Sequence, residues 1–161
     1  MTDLPIPISR HENAFRAGTA ALALLALTSV HHVYGAIVFG TPWRLHILAA
    51  VVPAAMAIVG ALYLGAKSGD RAAARRAMRV AAVIILVFPV AAIGIYEGGY
   101  NHVVKNLVYV LGGEEVTLAL FPPPLYELPR DFVFEATGVA QFPLAIWTAI
   151  LAVRLWRDPG R

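Results

Sequence analysis

Apolar residues run in four long stretches along the chain, separated by short polar or proline-containing breaks. The stretches cover about 14–39, 43–66, 76–111 and 132–156. Each supplies the roughly 20 mostly apolar residues that a helix needs to cross a bilayer core of about 30 Å. The pattern predicts an all-α fold: one integral membrane four-helix bundle in a single domain, with no internal repeat.

The breaks sharpen that picture. "GTPW" between the first two stretches is short enough to make them an antiparallel hairpin. The last connection, from about Gly112 to Arg130, is the longest and contains "FPPPLYELP". Three consecutive prolines favour a stiff, extended path, so this segment is expected to lie over one end of the bundle. The first stretch resembles a signal peptide only superficially. The preceding "MTDLPIPISRHENAFR" is long and mixed in charge, and no small-x-small cleavage pattern follows, so a retained helix is expected.

Composition agrees with a membrane setting. The chain of 161 residues is 59% hydrophobic and 14% charged, against about 25% charged for soluble domains. Its net charge of +3 does not imply nucleic acid, because the basic residues are few and sit at the ends of the apolar stretches. Ten of the 13 Lys and Arg fall on one side: Arg10, Arg16, Lys67, Arg71, Arg75, Arg76, Arg79, Arg154, Arg157 and Arg161. Arg44, Lys105 and Arg130 fall on the other. The positive-inside rule then puts both termini in the cytoplasm, and the compact loops suggest a bacterial plasma (inner) membrane.

The absence of cysteine removes disulfides, thiolate ligands, iron–sulfur clusters and cysteine nucleophiles. Other ionisable residues do occur inside the apolar stretches, where they are costly and mark function by default. His31 and His32 lie late in the first, His46 opens the second, Glu97 and His102 fall in the third, and Glu135 opens the fourth. Counted from the basic anchors, His31, Glu97 and Glu135 rise to roughly 22, 27 and 28 Å, and His46 and His102 to about 31 and 34 Å. One outer layer therefore collects groups from all four helices.

Their facing is less readily derived. His31 and His32 differ by about 100° around a helix. Glu97 and Asn101 share a face, with Lys105 a turn later, but His102 is five positions from Glu97 and would not align with it on an α-helix. Gly98 and Gly99 between them would permit a local bulge that turns both inward, a distortion common at functional sites.

The leading reading is a non-haem metal site. Imidazole and carboxylate suit Zn, Fe, Mn or Cu. His31, His32, Glu97 and His102 are the first candidate ligands, then Glu135, then His46, with Tyr34, Tyr100 and Asn101 as groups that orient them. Glu97 or Glu135 would carry protons in a metalloenzyme acting on a lipid-like or other apolar substrate. Neither an E-x-x-H pair nor H-E-x-x-H is present, so the ferritin-like and zincin patterns do not apply. Three alternatives stand beside this one. Haem b could be clamped by His31 or His32 with His102. The chain could be a non-enzymatic ligand or ion carrier or an accessory subunit, as a homodimer or beside a larger partner. The polar groups could also simply join helices. His11 is expected in a solvated tail, and Gln141 is expected to hydrogen-bond across the bundle.

Overall fold

The computed structural model describes residues 10–158. His11 and Arg161 lie outside the side chains it describes. Among the described residues the chain is all-helical, without strands. Helix α1 covers Arg10–Val38, and a 3-10 turn at Pro42–Leu45 leads into α2, His46–Lys67. Helix α3, Arg71–Ile85, continues without a break into a π-helical segment, Leu86–Val104, and then into α4, Lys105–Leu120. Helix α5 covers Phe132–Arg157. Four rods result, at Glu12–Val38, Pro42–Lys67, Arg71–Leu120 and Phe132–Arg157, and each is long and apolar enough to span a membrane.

Two aspartates set helix starts. The Asp70 carboxylate accepts from the Ala72 and Ala73 backbone N–H groups at 3.0 and 3.1 Å, opening α3. Asp131 does the same for α5, accepting from the Phe134 N–H at 2.8 Å. Each satisfies donors that a helix N-terminus otherwise leaves unbonded. The Asp70 carboxyl is held below its ordinary value by those backbone hydrogen bonds.

The third rod is longer than its hydropathy implies. The run "GGEE" reads as the start of a loop, yet the helix continues to Leu120. Gly113 takes a φ of 74°, kinking the rod there, and Thr117 Oγ1 donates to the Gly113 carbonyl at 2.7 Å. Glu114, expected in the loop, stands on α4 and pairs with Arg130. The remaining connection, residues 121–131, is correspondingly short.

Small residues decide how closely the rods approach. Ala17, Ala21 and Leu25 of α1 pack with Ile58 of α2, Met78, Ala82 and Ile85 of α3, and Leu151, Ala152 and Leu155 of α5. At Gly94 a side chain would collide with Ala145 of α5, and at Gly98 it would sit 2.8 Å from the Phe142 nitrogen. The π segment is thus seated directly on the α5 backbone, as small residues allow in bundles. Outside this core, Val52, Met56, Val59, Tyr63 and Leu64 of α2 are exposed.

Candidate metal centre

The π-helical winding brings the third rod's polar groups together. Five residues on an α-helix end about 140° apart, whereas an i→i+5 hydrogen-bond ladder stacks them. Glu97 and His102 consequently meet on one face, with the Glu97 Oε1 3.7 Å from His102 Nε2. Helix α1 supplies His31, whose Nε2 lies 3.1 Å from His102 Nε2 and 3.7 Å from the same Glu97 oxygen. His31, Glu97 and His102 form a group that could hold a metal ion.

The size of the triangle is specific. With sides of 3.1, 3.7 and 3.7 Å, its centre falls about 2.0 Å from all three corners, which is the length of a metal–imidazole bond. His32 Nε2 approaches the same Glu97 oxygen to 3.8 Å from the other side. Its Nδ1 is buried without a hydrogen-bond partner.

The outer hydrogen bonds assign the protons on both rings. The Thr137 hydroxyl sits 2.8 and 3.0 Å from the Val133 and Phe134 carbonyls and donates to that pair, so its oxygen accepts from His31 Nδ1–H at 3.0 Å. His102 Nδ1–H donates to the Glu135 carboxylate at 2.8 Å. Both Nε2 lone pairs are then left facing each other and a carboxylate oxygen. His31 is fully buried, and His102 is 1% exposed. Three acceptors in such a place repel one another unless a cation lies between them.

The neighbouring carboxylates have Lys or Arg partners, whereas among the described residues the ion-pair contacts of Glu97 are with His31, His32 and His102. Glu135 Oε1 accepts from Lys105 Nζ at 2.8 Å, and the same ammonium donates to the Glu127 carbonyl at 2.7 Å. Arg44 pairs with the Glu127 side chain at 3.3 Å. Glu97 Oε2 accepts only from Asn101 Nδ2, at 2.7 Å, which turns Oε1 toward the histidines.

The other candidates take different places. Glu135 supports His102 and presents no oxygen to the triangle. His46 is exposed, with Nδ1 2.6 Å from the Trp43 carbonyl. Tyr34 donates to Asp131 at 3.2 Å. Tyr100 stacks with Tyr96 and leans on Phe121. Gln141 is buried with neither amide atom bonded, contrary to the cross-bundle hydrogen bond expected of it. Of the two histidine pairs considered for haem, His31 and His102 lie with their Nε2 atoms 3.1 Å apart.

Several site residues carry no clear sequence signal. Arg44 was legible only as an outer basic residue, and Lys105 as a basic residue one turn beyond Asn101 on the Glu97 face. Thr137 looks like any helical threonine. Phe134 stacks on the His31 ring with centroids 4.2 Å apart and lies beside the Arg44 guanidinium.

A cavity of about 260 Å³ opens against the triangle. His32, Glu97 and His102 line it together with Phe88, Tyr96 and Tyr126. Tyr126 lies in the connecting loop, and its hydroxyl is pushed up to about 12 by burial first and then by its hydrogen bond with Tyr96. Comparison with protein-family models, curated proteins and solved structures finds no match for this chain.

Proposed function

We propose that this chain is an integral membrane metalloprotein, binding one transition-metal ion between His31, Glu97 and His102 near the outer face. The observation that carries this reading is the triangle of His31 Nε2, Glu97 Oε1 and His102 Nε2, whose centre lies at metal-bond distance from all three atoms. Membrane insertion is supported by the four long apolar rods and the exposed apolar residues of α2, which only lipid would cover at low cost. The clustering of basic residues at the opposite end from the site supports cytoplasmic termini.

The donor set of two imidazoles and one carboxylate suits Zn, Fe, Mn or Cu. Three protein ligands beside a cavity leave a position for water or substrate, the arrangement of catalytic rather than structural sites. A metal bound there would polarise a substrate oxygen or lower the pKa of a bound water. Glu135 and Lys105 fix the His102 ring, Thr137 fixes the His31 ring, and Asn101 aims Glu97. Such outer partners set ligand orientation and basicity. The substrate would be a lipid-like or other apolar molecule entering the cavity.

A proton shared between the two Nε2 atoms is the competing reading, favoured by their 3.1 Å contact. Purification in mild detergent without added metal, followed by elemental mass spectrometry and an optical spectrum, separates the two. Near-stoichiometric Zn, Fe, Mn or Cu without a Soret band is expected. A Soret band would replace the reading with haem, and an ion-free chain that takes up no metal on reconstitution would overturn it.

A further inference from the structure

The cavity beside the triangle is graded along its length. Along the third rod its lining passes from the apolar Phe88, Ala92 and Ile93 to Asn101 and Lys105, and Ile47 and Arg44 line it as well. So do the loop residues Leu125, Tyr126 and Glu127. Because Phe88 precedes Lys105 along the third rod, the apolar end is the deeper one in a membrane and the polar end lies toward the surface. A pocket with mostly apolar walls and a few converging polar groups is the usual form of a small-ligand site. Here the gradient also sets the ligand's orientation, with a tail inward and a head outward.

The charges then select the head. Lys105 Nζ spends two of its three N–H groups, on Glu127 and Glu135. Arg44 uses Nε on Thr41 and one terminal nitrogen on Glu127. Both cations line the cavity, and each has N–H groups beyond those used in these bonds. With neutral histidines, Glu97, Glu127 and Glu135 outweigh Arg44 and Lys105 by one negative charge. A divalent ion at the triangle converts that to one positive charge, which a single anionic group neutralises.

We propose that this cavity binds a single-tailed, monoanionic amphiphile, with its carboxylate-type head between Lys105, Arg44 and the metal position and its tail along Phe88 and Ala92. The proposal rests on the metal reading above and names the ligand class for that site. The volume of about 260 Å³ admits one head and the first part of one chain, rather than a two-tailed lipid.

The test uses the full chain, loaded with its metal, in nonionic detergent. Binding of myristate and of tetradecanol, its uncharged counterpart, is counted by native mass spectrometry in the wild type and in Ala92→Trp. Ala92 lines the cavity and is none of the metal-facing residues. The expected result is one myristate per chain, bound at least about tenfold more tightly than tetradecanol, and a similar loss of myristate in Ala92→Trp at unchanged metal content. Equal binding of the alcohol, or full myristate binding in Ala92→Trp, would overturn the proposal. Failure of the metal reading shows separately, as a chain that takes up no metal, and it removes this proposal with it.

Discussion

His31 and His102, 71 residues apart in sequence, point their Nε2 atoms at each other across 3.1 Å. Each ring has an outward partner at Nδ1, Thr137 for His31 and Glu135 for His102, and with both Nδ1–H groups donated there the two Nε2 atoms are left as acceptors. The Glu97 carboxylate closes the triangle without a Lys or Arg partner among the described residues. Packing alone gives no reason to collect three acceptors in a buried layer, and a bound cation does.

In the proposed metal site Glu135 would act on the ion through His102, whose Nδ1 lies 2.8 Å from its carboxylate. Glu135→Gln keeps the shape but removes the carboxylate that holds the Nδ1 proton, and it leaves Lys105 without its buried counter-ion. Loss of such an outer partner weakens metal binding by about 10–100-fold. Competitive titration with a chromophoric chelator measures this, and unchanged affinity would detach Glu135 from the site.

Gly138 leaves room for the His102 ring, since a side chain there would overlap it. Gly138→Ala should therefore displace the ring and lower metal affinity as well as stability. Gly94→Ala strikes Ala145 instead and should cost about 1–3 kcal/mol, as overpacking does, with the three donors left in place. Thermal melts paired with metal content distinguish the two. Equal metal loss in both variants would contradict this division.

Four helices long and apolar enough to cross a membrane could be read directly because contiguous apolar residues stand out, and the polar layer because ionisable groups stand out within them. Which of the adjacent pair His31 and His32 faces Glu97 depends on the rotation of α1 against the π segment, a tertiary quantity. The five-residue spacing of Glu97 and His102 argued against their meeting until Gly98 and Gly99 were allowed to distort the helix. A π-helical segment from Leu86 to Val104 is far longer than the local bulge expected. His46 shares the layer and lines the cavity but bonds the Trp43 carbonyl rather than joining the triangle, because depth says nothing about facing. The helical stretch up to Leu120 was not legible because "GGEE" has loop composition, and Gly113, with a non-helical φ of 74°, does interrupt the helix there.

The Asp70 cap should make stability depend on pH. Its carboxyl is depressed from the ordinary 3.8 by the Ala72 and Ala73 N–H groups. A depressed folded-state value means the stabilisation is present above the ordinary value and lost as pH falls through the folded one. Asp70→Asn keeps an acceptor without the charge, so its Tm deficit against wild type should be largest near neutral pH and vanish in acid. A deficit independent of pH would show that the charge does not matter.

Arg44 and Lys105 together hold the connecting loop, through the Glu127 side chain and carbonyl. Glu127→Gln removes the ion pair while the carbonyl contact stays. Because Glu127 is 26% exposed in that pair, the effect on global stability should be small, within about 1 kcal/mol. Amide hydrogen exchange should quicken in residues 121–131 and not in α5. Uniform acceleration would mean that Glu127 supports the bundle rather than the loop.

The central claim is most directly tested by metal content per chain in wild type, Glu97→Gln and His102→Ala, each checked for helicity by circular dichroism. The account predicts one ion per wild-type chain and near-complete loss in both variants with helicity intact. Full occupancy in folded Glu97→Gln and His102→Ala would contradict it.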